Sequence, residues 1–478
     1  MKQLNLIFLI FGLFISCSNN QGKIKTGNDS TAPNVLFIAV DDLRPELGIF
    51  GASHIQSPAI DKLAAEGLVF NRSYCNIPVC GASRASLLSG VRPGVNRFLG
   101  FDTWQEKDYP GVLSLPMHFK NNGYTTISNG KVYHHPQDDI GAWHEMWRPK
   151  KKYSPRDFIT DENISLDNAK DSRGRPYEWV EAHDTLYKDG RIAKKTIEDL
   201  KKLKEKGKPF FLAVGFLKPH LPFNAPKKYW NLYDPESISL PDNYMQPAST
   251  PQNAFHNFGE LRKYYSVPKQ GPISKEMANK LIHGYYACVS YTDAQIGKIL
   301  TALEDLKLAE NTIVILWGDH GWNLGDHMLW CKHCNFESSL HVPMIIKVPG
   351  KTSGQKTEVI TEYIDIYPSL CDLARLPVPD HIDGESFVPL IEGNSRVKDY
   401  AISKYYNGVT LVKENLFYTE FIDKEGNLKT RMLFDHTNDP LELDNLAEKP
   451  SYENKVNDLS NFLHANWGND FFLDRRKK

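Results

Sequence analysis

The sequence predicts an α/β protein with a large, mainly parallel β-sheet covered by helices and a smaller antiparallel unit behind it. Three observations carry that expectation. From Asn34 onward, short β-branched runs alternate with stretches of helical periodicity, the pattern of strand–helix–strand units. Three of the runs, "NVLFIAVDD", "PFFLAVGFLKPH" and "TIVILWGDHG", are continuously apolar until they end in ionisable residues, as strands buried on both faces would be. Beyond Gly393, "YAISKYY", "GVTLVKENLFYTEFI" and "TRMLFDH" read as strands separated by turn signals, with a helical "SYENKVNDLSNFLHANW" after them.

The chain of 478 residues is long enough for one large α/β unit with an appendage. Its 57 Lys and Arg balance 58 Asp and Glu. No global field therefore recruits nucleic acid or an anionic membrane, and affinity for an anion must come from locally arranged cations. The first residues stand apart. One lysine precedes an apolar run from Leu6 to Ile15, which is too short to span a bilayer and fits an export signal. "FISC" resembles a bacterial lipoprotein processing site, with Phe14 departing from the usual aliphatic position. Residues 1–17 are thus expected to be a leader with Cys17 as the lipidated residue, and 18–32 a flexible tether. The main domain is expected over 33–393 and a C-terminal α+β subdomain over 394–478. This describes an exported bacterial lipoprotein, in the periplasm or on the outer membrane, that meets the membrane only through its lipid anchor.

Export permits disulfides. Setting Cys17 aside leaves Cys75, Cys80, Cys288, Cys331, Cys334 and Cys371, enough for full pairing. Cys331 and Cys334 in "WCKHC" have the spacing of a zinc or redox pair. The chain has no second such pair, so packing or a local disulfide is the expectation.

The first apolar run ends in Asp41 and Asp42, the second in Lys218, Pro219 and His220, the third in Asp319 and His320. Open α/β sheets bind ligands beyond the carboxyl ends of their strands. Each pair alone could merely cap a helix or a turn. Together they supply three carboxylates that repel one another unless a divalent cation lies between them. Oxygen-rich ligation favours Ca²⁺ or Mg²⁺ over zinc, with His320 the softest member. "VCGASRASLLSG" then places Cys80 at the mouth of a helix, where unpaired N–H groups favour an anion. A thiolate is a poor companion for a hard cation, so the sulfur itself is not expected to do the work.

"CGASRASLLSG" resembles the signature C-x-[PA]-x-R of the type I sulfatases, with Cys80, Ala82 and Arg84 at the defining positions. "NVLFIAVDDLRPELG", "GKVYHH", "FFLAVGFLKPHLPF", "VSYTDAQIGKIL", "GDHGWNLGDH" and "HVPMIIKVPG" resemble, in order, segments of the branch that acts on iduronate 2-sulfate. The resemblance runs from about Pro33 to the neighbourhood of Gly393. It implies the alkaline-phosphatase-like superfold and a sulfuric ester hydrolase. It also implies oxidation of Cys80 to formylglycine (3-oxoalanine) by a formylglycine-generating enzyme, a sulfatase-maturating partner. Asp41, Asp42, Asp319 and His320 would hold Ca²⁺, with an oxygen of the converted Cys80 completing the shell. Arg84 would steady the hydrated aldehyde, Lys131 and His134 would bracket it and the sulfate, and Lys332 would bind the sulfate. His135 competes with His134 for that place. A hydrate hydroxyl would attack sulfur, His220 would protonate the leaving sugar oxygen, and His134 would take the proton that lets the sulfate go. Gly318 stands where the family more often has serine, a change expected to be neutral.

The implied substrates are sulfated oligo- or polysaccharides, either uronate 2-sulfates of glycosaminoglycans or algal polysaccharides such as ulvan. Arg97, Asp102 and Trp104 are candidate specificity residues, and the polar span "KKYSPRDFITDENISLDNAKDSRGRPYEW" is expected to be a loop over the pocket. The rival readings are a phosphatase or phosphonate hydrolase of the same superfold and an inactive lipoprotein that only captures sulfated glycans.

Overall fold

The first strand, β1 (Asn34–Val40), is buried at every position. Its side chains divide by parity, as a strand's must. Leu36, Ile38 and Val40 enter one hydrophobic core, and Val35, Phe37 and Ala39 enter another. The same division recurs in two other fully buried strands, Phe210–Phe216 and Thr312–Gly318. One sheet therefore separates two cores, and helices must cover both faces.

The computed structural model describes residues 32–169, 173–395, 398–423 and 425–467; the expected leader, Cys17 and the tether up to residue 31 lie outside the described residues. The remaining elements of the main sheet, with the helices that cover it, follow in chain order. They are α1 (Pro58–Glu66), β2 (Leu68–Phe70), α2 (Cys80–Ser89), α3 (Leu115–Asn121), β3 (Thr125–Gly130), β4 (Glu145–Trp147) and α4 (Lys188–Lys206). Then come β5 (Phe210–Phe216), α5 (Lys275–Asp305), β6 (Thr312–Gly318), β7 (Met344–Lys347), β8 (Gln355–Thr357) and α6 (Ile366–Ala374). Spatial order across the sheet is β8-β2-β7-β6-β1-β5-β3-β4. Only β7 runs antiparallel to its neighbours. Helices α1, α4 and α5 bury their apolar residues in the first core, and α3 and α6, with Leu87 and Leu88 of α2, in the second.

Register fixes the functional edge. Val40 of β1 pairs with Phe216 of β5 and Gly318 of β6, and Gly130 of β3 pairs with Gly215 of β5. Four adjacent strands thus end at one level. The ladder continues one bond further: Asp41 N–H donates to the Phe216 carbonyl (3.3 Å), Asp319 N–H to Val40 (3.2 Å) and Lys131 N–H to Gly215 (2.8 Å).

Beyond the main sheet, β9 (Tyr400–Tyr405), β10 (Gly408–Lys413), β11 (Leu416–Ile422) and β12 (Leu428–Asp435) form an antiparallel sheet in chain order, followed by α7 (Glu453–Trp467). One face of this sheet packs on Val456, Leu459 and Leu463 of α7. The other packs on Leu329, Phe336 and Leu340. The segment that carries Lys332 is therefore braced from behind.

All six described cysteines are buried and unpaired, including Cys331 and Cys334, so of the two alternatives for that pair the structure has packing. Two expectations are corrected. The span 151–179 is not a plain loop. It holds a helix, Asp161–Asn168, capped by the Thr160 side chain, and a strand, Tyr177–Val180, paired with Phe223–Pro226. Nor is Gly318 a neutral replacement for serine, because a Cβ there would lie 2.5 Å from the Leu43 carbonyl oxygen, a backbone atom. Gly318→Ser is expected to cost about 1–3 kcal/mol, the range for forced overpacking, read as a lower midpoint in denaturant unfolding.

Candidate active site

Helix α2 is buried along its whole length, with Cys80 as its first residue and Arg84 one turn on. Its N-terminal turn lies against the loop before α3: a Cβ on Gly81 would stand 2.4 Å from the Phe101 carbonyl oxygen. Glycine lets the two backbones meet, and that contact fixes Cys80 beneath the strand ends.

Asp41 and Asp42 both reach the site because the chain turns sharply between them. Asp42 takes φ 60°, a left-handed conformation that a non-glycine residue adopts at a cost of about 1–3 kcal/mol. Three contacts hold it there. Its N–H donates to Asp319 Oδ1 (2.9 Å), its carbonyl accepts from the Tyr285 hydroxyl (2.8 Å), and Lys332 Nζ lies 3.2 Å from both carboxylate oxygens.

Arg84 is fully buried over the Trp317 ring. Nε donates to Asp319 Oδ2 (2.9 Å), Nη2 to Asp41 Oδ1 (2.9 Å), and Nη1 to the carbonyls of Lys131 and Val132 (3.0 Å to the latter). The fork thus clamps two carboxylates and the end of β3, a use of planar guanidinium geometry that lysine could not reproduce. Among the described residues, its hydrogen bonds go to these groups and not to Cys80, so Arg84 orders the acidic array rather than gripping the cysteine. Lys131 Nζ donates to Asp41 Oδ2 at 2.6 Å.

His320 and Cys80 complete the cluster. His320 Nδ1 donates to the Gly321 carbonyl (2.9 Å), which leaves Nε2 facing inward, as second-shell bonding does for a metal-bound imidazole. That nitrogen lies 3.1 Å from Cys80 Sγ, 3.3 Å from Asp42 Oδ1 and 3.7 Å from Asp319 Oδ1. Ligand atoms of Asp41, Asp42, Cys80 and His220, and of Cys80, Asp319 and His320, gather within 4.8 Å of one another.

The electrostatics fit a bound cation. Burial would raise the pKa of Asp41, but Lys131 and Arg84 outweigh it and hold the carboxyl well below its usual range. At Asp42 burial wins over His220, Lys332 and His320, and the carboxyl is pushed up. It is the acid that the protein's own cations leave undercompensated, and a hard divalent ion among these oxygens would close the deficit. Burial also pushes the Cys80 thiol well above its usual range, despite Lys131 and Lys332. An unmodified Cys80 is a neutral thiol at physiological pH, hence a weak nucleophile and a poor ligand.

His220 Nδ1 donates to the Leu221 carbonyl (2.6 Å), so Nε2 faces the site, 3.9 Å from Asp42 Oδ2. Burial would lower its pKa, but Asp42 and other acids raise it overall. His134 behaves oppositely: burial, then Lys131, lower its pKa to about 2, and its Nδ1 has no hydrogen-bond partner. His135 instead stacks on Trp104 with centroids 4.3 Å apart. The charges that bear on His134 include Lys131, Asp41 and Arg84. Arg97 lies over the Tyr109 ring and donates to the Arg92 carbonyl, so it serves the loop's own packing. Asp102 is exposed. A cavity of about 180 Å³ opens from Asp41, Lys131 and His220 toward Arg156, Lys188 and Tyr264; Arg156 belongs to the span expected over the pocket.

One acidic residue of the site had no signal in the sequence. Glu260, in the irregular "FGELRKYY", places Oε1 3.0 Å from His220 Nε2 and Oε2 2.9 Å from Lys332 Nζ.

Comparison with known proteins agrees with this geometry. A family profile described as Sulfatase matches residues 33–376, and one described as N-sulphoglucosamine sulphohydrolase, C-terminal, matches 325–467. The chain is 35% identical over 404 residues to iduronate 2-sulfatase of Mus musculus, covering 76% of this chain and 72% of that protein. Two proteins of Formosa agariphila are also similar. One is a sulfatase, at 32% identity over 96% of this chain and 92% of its own length. The other is an ulvan-active sulfatase, at 28% over 96% and 86%. Among solved structures, a phosphonate monoester hydrolase from Silicibacter pomeroyi shares the fold, with TM-score 0.75, 21% identity and coverage of 91% of this chain and 94% of that one.

Arg84→Ala would take the guanidinium from Asp319 and leave Asp41 with Lys131 alone. It is expected to cost about 3–5 kcal/mol, the range for breaking a buried ion pair from one side, with Arg84→Lys recovering only part of the loss; denaturant unfolding measures both.

Proposed function

Because the chain belongs to the sulfatase family and is a sulfuric ester hydrolase, we propose that it removes sulfate from a sulfated carbohydrate, with a uronate 2-sulfate as the favoured substrate, through formylglycine made from Cys80 beside bound Ca²⁺. The observation that carries this reading is the burial of Cys80 Sγ within reach of His320, Asp42 and the Arg84-clamped acids. The kinship to iduronate 2-sulfatase and to an ulvan-active sulfatase supports a uronate-rich glycan.

Formylglycine at position 80 would supply a geminal diol, whose second hydroxyl lets sulfate leave again, an option that neither serine nor a thiol offers. Ca²⁺ held by Asp41, Asp42, Asp319 and His320 would supply positive charge that acidifies that diol and offsets the sulfate oxygens. The chain's own residues do the rest. Lys131 and Lys332 present ammonium groups to the sulfate from the two sides of the acidic array. His220 carries at Nε2 a proton that it shares with Glu260 in the free site and passes to the bridging sugar oxygen as that oxygen's bond to sulfur breaks. His134 keeps an unpartnered Nδ1, and the burial that lowers its pKa to about 2 has to be relieved, as substrate charge enters, before that nitrogen takes a proton. Cys80 is 3% exposed, so a formylglycine-generating enzyme must reach it before the domain closes. The apolar leader supports export as a lipoprotein anchored through Cys17.

Protein co-produced with a maturating enzyme is expected to carry the aldehyde at position 80 by mass spectrometry and to desulfate disaccharides ending in uronate 2-sulfate. Cys80→Ser should keep the fold, by circular dichroism, and lose at least about a thousandfold in turnover, the scale of removing a nucleophile that acts as part of a unit. Faster release of phosphate from phosphate monoesters than of sulfate would favour the phosphatase alternative instead.

A further inference from the structure

We propose that Glu260 is a positioning residue of this active site: its carboxylate bridges the His220 imidazole and the Lys332 ammonium and shares both with Asp42. The inference rests on the sulfatase reading and assigns a role to a residue outside the signature segments.

The geometry is a two-oxygen bridge. One Glu260 oxygen lies 3.0 Å from His220 Nε2 and the other 2.9 Å from Lys332 Nζ. Each of these cations has Asp42 as its second anionic partner, at 3.9 Å for His220 and 3.2 Å for Lys332. Without Glu260, His220 and Lys332 would lean more heavily on Asp42, and they would compete for the carboxylate that a divalent cation needs. With it, each is shared, and Lys332 lies between two acids over the Trp322 ring, 4.8 Å from its centroid.

The segment that delivers Glu260 is built to hold still. Next to it, Leu261 and Tyr264 are buried in the core beneath the sheet. Arg262 ties the stretch together, donating to Asn257 Oδ1 (2.7 Å), to the Gly271 carbonyl (2.6 Å) and to the Pro268 carbonyl, while its guanidinium lies 4.0 Å from the Phe258 ring centroid. A carboxylate on so constrained a stretch suits fixed support better than a gate. The charge inventory agrees: the carboxylates of Asp41, Asp42, Asp319 and Glu260 face the fixed cations of Arg84, Lys131 and Lys332, with the His220 imidazole beside them, so the pocket keeps an acidic excess for a divalent cation to meet.

A support for His220 is needed most when the leaving oxygen needs a proton. A sugar alkoxide does, whereas a nitrophenolate leaves without one. Glu260→Gln is therefore expected to lower kcat on a disaccharide ending in uronate 2-sulfate by roughly 10²-fold, within the range for general acid catalysis, with KM within about threefold. On 4-nitrophenyl sulfate the loss should stay below about fivefold, and Glu260→Asp should restore part of the sugar-sulfate activity. A crystal structure of Glu260→Gln should show the His220 ring or the Lys332 ammonium displaced toward Asp42. Equal losses on both substrates, a loss confined to KM, tighter substrate binding in Glu260→Gln, or unmoved His220 and Lys332 would each overturn the proposal. If the parent chain turned over neither sulfate ester, the sulfatase reading would fall, and the crystal structure would still decide the role of Glu260. Should Glu260→Gln not fold, Glu260→Asp carries the same readouts with smaller losses.

Discussion

The arrangement depends on how three aspartates can be buried together at the edge of a sheet. Isolated carboxylates in such a place would protonate or drive the chain apart. Arg84 prevents this for two of them by spanning Asp41 and Asp319 with one planar group, and Lys131 adds a second partner to Asp41. Asp42 receives weaker compensation from several sides. The undercompensated acid, the inward-facing nitrogen of His320 and the sulfur of Cys80 all point to the same small volume. Its charge and its oxygen donors suit a hard cation, and its sulfur does not, which is why conversion of that sulfur to an oxygen-bearing group makes chemical sense of the whole.

The sheet explains why the acids meet at all. Because β1, β5 and β6 end in register, the first residue past each strand steps into a common rim, and β3 adds Lys131 at the same level. The C-terminal sheet contributes differently. It packs on the segment around Leu329 to Leu340 and so stiffens the loop from which Lys332 enters. Packing remote from the acidic cluster thus helps to set the position of the Lys332 ammonium beside Asp42.

Much of this was legible in the sequence for identifiable reasons. Strands buried on both faces are continuously apolar, so their ionisable ends stand out, and Asp41, Asp42, His220, Asp319 and His320 could be named from that contrast. What escaped was set by tertiary contact. The helix Asp161–Asn168 buries Asn163 and Asp167 rather than apolar residues, so no hydrophobic period announces it. The partners of Arg84 are hundreds of residues apart or on other strands, and the tight fit around Gly318 depends on Leu43, far away in the chain. Glu260 lies in an irregular stretch with no strand end or motif to mark it. Cysteine pairing was arithmetically open, and the fold keeps all six described thiols apart.

The central claim is that a divalent cation completes the acidic cluster through Asp42. Calorimetric titration of the metal-free, folded chain with Ca²⁺ tests it most directly. The account expects one site per chain that disappears in Asp42→Asn while the variant stays folded. No binding by the parent chain, or binding that survives Asp42→Asn unchanged, would contradict it.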